Sequence, residues 1–197
     1  MTASTIEATQ KAKKAGADFA LVVVPYYNKP NQAGLYEHFK AVAEQGGLPV
    51  VLYNIPGRCG VQLTAETVAK LSKNVPGIVG IKESTGNLDM STEIASLCDI
   101  TILSGDDSLT LPIMSVGGQG VISVLSNFAP ELVKAIVDPA LKGDYATAGV
   151  AHRRSFRLVK TLFIEPNPQP TKAAMSMLHM LDDSLRCFFC NPFLYTY

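Results

Sequence analysis

The sequence carries no excess of charge of either sign: Lys and Arg together number 17, and so do Asp and Glu. Nucleic acids and anionic membranes are recognised by basic patches, so neither is indicated as a partner. No apolar stretch approaches the ~20 residues that span a bilayer. The opening "MTASTIEATQKAKK" lacks the apolar centre of a secretory signal and reads as an amphipathic helix, with Ile6 and Ala8 followed by a basic face. Cysteine is sparse, at positions 59, 98, 187 and 190. Cys187 and Cys190 form a CxxC, but no second pair or nearby histidine completes a zinc set. The four thiols fit a reduced, cytosolic protein without a metal. Nucleotide loops are missing too. No G-x-G-x-x-G follows the first apolar run, and "GGQGVISV" (117–124) lacks the Lys and Ser/Thr of a phosphate-binding loop.

What is present is an alternation. Five apolar runs rich in β-branched residues are "FALVVVPYY" (19–27), "PVVLYNIP" (49–56), "GIVGIKES" (77–84), "ITILSGDD" (100–107) and "GVISVLSN" (120–127). They lack strict polar alternation, as parallel strands covered on both faces do. Helical patterns lie between and after them. One opens at Asn31 and stops at Gly46–Gly47, another opens at Thr64, and a third has Pro130 in its first turn. Residues 144–163 and 170–181 continue as helices. Strand–helix alternation predicts a parallel α/β fold, either doubly wound or a (β/α)8 barrel. The chemically unusual residues cluster at the ends of the runs, which favours the barrel. A whole barrel of this kind runs to ~250 residues. Five strands after an opening helix therefore predict a partial (β/α)8 TIM barrel, five of eight strands, with the first three absent. Residues 1–164 are read as the barrel domain and 165–197 as a truncated helical region with an atypical tail.

Lys82 stands at the end of an otherwise apolar strand. It is either a strand-end lysine, snorkelling or paired with Glu83, or a desolvated amine able to form a Schiff base with a ketone. Tyr53 is either a core tyrosine or the proton carrier such chemistry needs. Tyr26 and Tyr27 cap the barrel, pack at an interface, or serve the site. Arg58 is a loop arginine or a two-pronged carboxylate clamp. Gly105 lets backbone approach closely. Asp106 and Asp107 receive a substrate ammonium or cap the next helix.

The set "VVPYYNKP", "LYNIPGR", "GIKESTGN", "LSGDD", "GVISV" and "FIEPNPQPTK" resembles the dihydrodipicolinate synthase family across about residues 2–185. Members are (β/α)8 barrels with a C-terminal helical extension, mostly homotetramers built as dimers of dimers. They condense pyruvate with aspartate semialdehyde on the way to diaminopimelate and lysine. The resemblance implies that Lys82 forms the imine with pyruvate, without any other cofactor, and that Tyr53 moves protons. It further implies that Tyr27 completes a relay reaching a neighbouring subunit, Arg58 holds the semialdehyde's carboxylate, and Ile122 lines the pyruvate site through its backbone. N-acetylneuraminate lyase and the keto-deoxy-sugar-acid aldolases share the lysine and tyrosine, and "NIPGR" and "SGDD" resemble the synthase instead. Three features depart from the family. Its "GTTGE"-type threonine loop has no counterpart, Cys59 stands where threonine is usual, and "LRCFFCNPFLYTY" (185–197) differs from the helical C-terminus. A non-catalytic fragment of the synthase is the alternative those departures raise.

Overall fold

Each of the five apolar runs contributes a strand: β1 (Ala20–Val23), β2 (Val50–Asn54), β3 (Ile78–Glu83), β4 (Thr101–Ser104) and β5 (Gly120–Val121). The computed structural model describes residues 1–186. All strand pairings are parallel and the spatial order is β1-β2-β3-β4-β5, the order of the sequence. A doubly wound sheet reverses its strand order at a switch point. This sheet never does, as a barrel requires.

Helices α1 (Thr2–Lys14), α2 (Gln32–Gly46), α3 (Pro56–Cys59), α4 (Ala65–Asn74), α5 (Leu88–Leu97) and α6 (Thr110–Ser115) belong to the same unit, Met1–Ile122. Their ends follow the expected chemistry. Asn31 Oδ1 accepts from the Gly34 amide at 2.9 Å, and α2 closes on Gly47 at φ 79°. Thr64 Oγ1 accepts from the Thr67 amide at 3.3 Å to start α4. One face of each helix meets the sheet: Leu35, Phe39 and Val42 from α2, and Val68 and Leu71 from α4, join Leu52, Ile81 and Ile102 in one core. Burying each such side chain contributes about 1.5–3 kcal/mol. In α1 the buried position is Thr9, and Ile6 packs against the core.

A second unit begins at Ser123. It holds α7 (Pro130–Leu141), α8 (Tyr145–Thr161) and α9 (Gln169–Met177), around Leu125, Ala129, Val159 and Leu162. Two expectations were too long. The run 120–127 pairs only through Gly120–Val121, because Ser123 Oγ accepts from the Ser126 amide at 2.9 Å and starts a short 3-10 turn. The helix predicted over 170–181 stops at Met177, where His179 takes a left-handed φ of 56° and turns the chain. Cys187 and Cys190 lie outside the described residues. Among the described residues no helix is long and apolar enough to cross a membrane.

Candidate active site

The β2–β3 register sets Tyr53 beside Lys82 and Asn54 beside Glu83. Side chains alternate across a strand, so the first pair shares one face and the second pair the other. The ammonium of Lys82 lies over the Tyr53 ring, with Nζ 4.4 Å from its centroid. The alternative in which Lys82 pairs with Glu83 does not form. On the far face, Glu83 Oε2 accepts from Asn54 Nδ2 at 3.1 Å and Oε1 accepts from the Thr85 amide at 2.6 Å.

Burial pushes the Lys82 pKa below the usual lysine value, and the carboxylates of Asp106 and Asp107 pull the other way. Burial likewise raises Tyr53, so its phenol stays protonated at neutral pH; Ser84 and the Arg58 charge oppose that rise. Asp106 is raised by burial, with the Lys82 charge acting against it. These opposed causes give a checkable sign. Asp106→Asn removes an anion that favours the ammonium, so the Lys82 pKa should fall further. Labelling of the amine against pH, read by peptide mass spectrometry, should show the Lys82 midpoint moving to lower pH. A move to higher pH would show that Asp106 does not face the amine.

Gly105 follows β4, its amide donating to Glu83 O at 2.8 Å. A Cβ built on it would collide with Ser84 Oγ and come within 2.9 Å of Lys82 Cε, so glycine lets the β4 end lie against Ser84 and the lysine. Asp106 stands at the N-cap of the 3-10 turn Asp107–Leu109 but makes no side-chain capping bond, and its charge is felt by Lys82 without a close ion pair. The Ile122 amide donates to Ser104 O at 2.9 Å, which fixes Ile122 beside the end of β4.

Arg58 lies on α3, exposed, and its charge is felt by Tyr53. Tyr27 follows β1 and is 88% exposed, with a left-handed φ of 71°. That backbone is costly for a bulky residue and typical of functional segments. Thus Tyr53, Lys82, Gly105 and Asp106 come together, Arg58 stands near them, and Tyr27 points away into solvent within a single chain.

Ser84 was not singled out from sequence. Its Oγ is buried next to Gly105 and beside the Tyr53 phenol, whose pKa it lowers as a hydrogen-bond neighbour although the contact falls short of ideal hydrogen-bond geometry. Its place directly after the strand-end "KE" was the available signal. A hydroxyl there is placed to orient the Tyr53 phenol.

Residues 1–189 match the profile of the Dihydrodipicolinate synthetase family. The chain belongs to that family. It is 50% identical over 184 residues to the 4-hydroxy-tetrahydrodipicolinate synthase of Persephonella marina, covering 92% of this chain and 63% of that protein. Among solved structures it superposes on dihydrodipicolinate synthase from Aquifex aeolicus with a TM-score of 0.95 at 47% identity, covering 97% of this chain and 66% of that one. The chloride-inhibited enzyme from Acinetobacter baumannii complexed with pyruvate gives a TM-score of 0.93 at 39% identity, with the same two coverages, 97% and 66%. The five-stranded sheet is thus part of a (β/α)8 barrel of the dihydrodipicolinate synthase type. The chain spans less than two thirds of the length of these relatives.

Proposed function

We propose that this site captures pyruvate as an imine on Lys82 and joins it to L-aspartate 4-semialdehyde, giving 4-hydroxy-tetrahydrodipicolinate for lysine and diaminopimelate synthesis in the cytoplasm. The observation that carries the reading is the half-buried Lys82 amine lying over Tyr53 at the strand ends. Lys82 adds to the ketone, and the carbinolamine loses water to leave the imine. The imine draws electrons from the pyruvate methyl, which gives up a proton. The resulting enamine carbon forms the new C–C bond with the aldehyde. The semialdehyde's own amine then displaces Lys82, closing the ring and freeing the enzyme. No further cofactor is needed, because the imine is itself the electron sink.

Tyr53 hands protons to and from the carbinolamine. Arg58 holds the semialdehyde's carboxylate in two-pronged fashion, and Asp106 receives its ammonium. The Ile122 carbonyl and Gly105 backbone line the pyruvate side. Tyr27, presented outwards, completes the relay in a neighbouring copy, which makes the working form a homo-oligomer. The test offers the chain pyruvate with aspartate semialdehyde, and separately N-acetylneuraminate. Turnover of the first pair alone is expected. Cleavage of N-acetylneuraminate would move the assignment to the sugar-acid lyases, and a folded chain inert to both would mark a non-catalytic fragment.

A further inference from the structure

The far face of the sheet, behind Lys82 and Tyr53, carries a polar bridge in an apolar core. Asn54 is 0% exposed and Glu83 is 1% exposed. Asn54 Nδ2 donates to Glu83 Oε2 at 3.1 Å and to Leu63 O at 3.3 Å, while its Oδ1 accepts from the Leu63 amide at 3.0 Å. Glu83 Oε1 accepts from the Thr85 amide. One side-chain amide therefore holds both ends of the segment that carries Arg58: Asn54 precedes it and Leu63 closes it. The same bridge reaches the loop after β3 through Thr85. Burying a carboxylate among neutral partners is unfavourable, and burial raises the Glu83 pKa accordingly. A well-packed apolar pair would fill the space without that cost, so the gain lies in fixed geometry.

We infer that Asn54 and Glu83 are positioning residues: they lock residues 55–63, and with them Arg58, at a set place relative to the Tyr53–Lys82 pair on the other face. The consequence for substrate rests on the reading of Arg58 and Lys82 given above; the lock itself does not.

Glu83→Gln tests it, because both oxygens of Glu83 act as acceptors. The glutamine keeps the shape but turns one acceptor into a donor. If that donor faces Asn54, the Asn54 amide must turn over, and both Leu63 bonds are lost. If it faces Thr85, that amide is stranded. Hydrogen exchange should therefore quicken at Leu63 or Thr85 by about ten- to a hundredfold, the factor carried by one lost buried hydrogen bond. The Leu52 and Ile81 amides in the strand interiors should keep their protection. Asn54→Asp combined with Glu83→Gln puts an acceptor opposite the new donor and keeps the acceptor of the Leu63 amide, giving up only the longer bond to Leu63 O, and should restore slow exchange at both amides. In turnover, Glu83→Gln should raise KM for the semialdehyde by on the order of ten- to a hundredfold, with a much smaller change in KM for pyruvate, and the double variant should reverse it. Unchanged exchange at both amides, or uniform loss of protection with no rescue, would overturn the lock. Should Glu83→Gln fail to fold, the double variant decides alone: native exchange at Leu63 and Thr85 supports the lock, and failure to fold refutes it. A chain without turnover that still shows the exchange pattern would support the lock and refute the substrate reading.

Discussion

Replacing Lys82 by methionine should abolish turnover and at the same time stabilise the fold at neutral pH. Methionine keeps the length and apolar stem of lysine but offers no amine. Loss of a covalent nucleophile lowers turnover by more than about a thousandfold. The stability change has the opposite sign. The folded chain holds Lys82 at a depressed pKa, chiefly through burial, so between that value and the usual 10.5 the unfolded chain binds more protons. Lys82 therefore costs stability at neutral pH, and the cost fades as pH rises through that window. The melting temperature of Lys82→Met should exceed that of the parent at pH 7, and the gap should narrow as pH approaches 10.5. A variant that melts lower at neutral pH would show the ammonium to be well satisfied where it sits, which is not what an imine-forming lysine requires.

The second large effect is at Tyr53. Tyr53→Phe retains the ring under the Lys82 ammonium, so the lysine keeps its place, and only the hydroxyl is removed. Proton transfer by a positioned side chain contributes about 10²–10⁴-fold, and turnover should fall by that amount. Burial keeps the phenol protonated at neutral pH, the form the proposed proton donor requires. Steady-state kinetics with pyruvate and aspartate semialdehyde measure the loss. Full activity in Tyr53→Phe would leave the tyrosine as packing, with Ser84 Oγ the next candidate for the proton.

The elements were legible where local chemistry decides them. Asn31, Gly47, Thr64 and Pro130 sit at helix ends as their side chains and backbone freedom demand. The strands were legible as continuous apolar runs, even though Leu21 of β1 and Val79 of β3 are exposed. The end of β5 was not, because "ISVLSN" is as apolar as a strand, and the Ser123 hydroxyl turns it into a 3-10 bend instead. Within the site, Lys82 stood out as a charge in an apolar run. Glu83 invited the wrong partner, since adjacency in sequence suggests an ion pair while alternation along a strand separates the two onto opposite faces. Its true partner, Asn54, lies 29 residues away and becomes visible only with the β2–β3 register. Ser84 had only its place after "KE" as a signal, because its nearness to the Tyr53 phenol is set by what surrounds it in the fold.

Everything proposed for the site turns on Lys82 being the amine that captures pyruvate. Incubating the chain with pyruvate and borohydride, then mapping the modified peptide by mass spectrometry, tests it most directly. One reduced pyruvate is expected on the peptide containing Lys82, and none in Lys82→Met. An adduct on any other lysine, or one that persists in Lys82→Met, would contradict it.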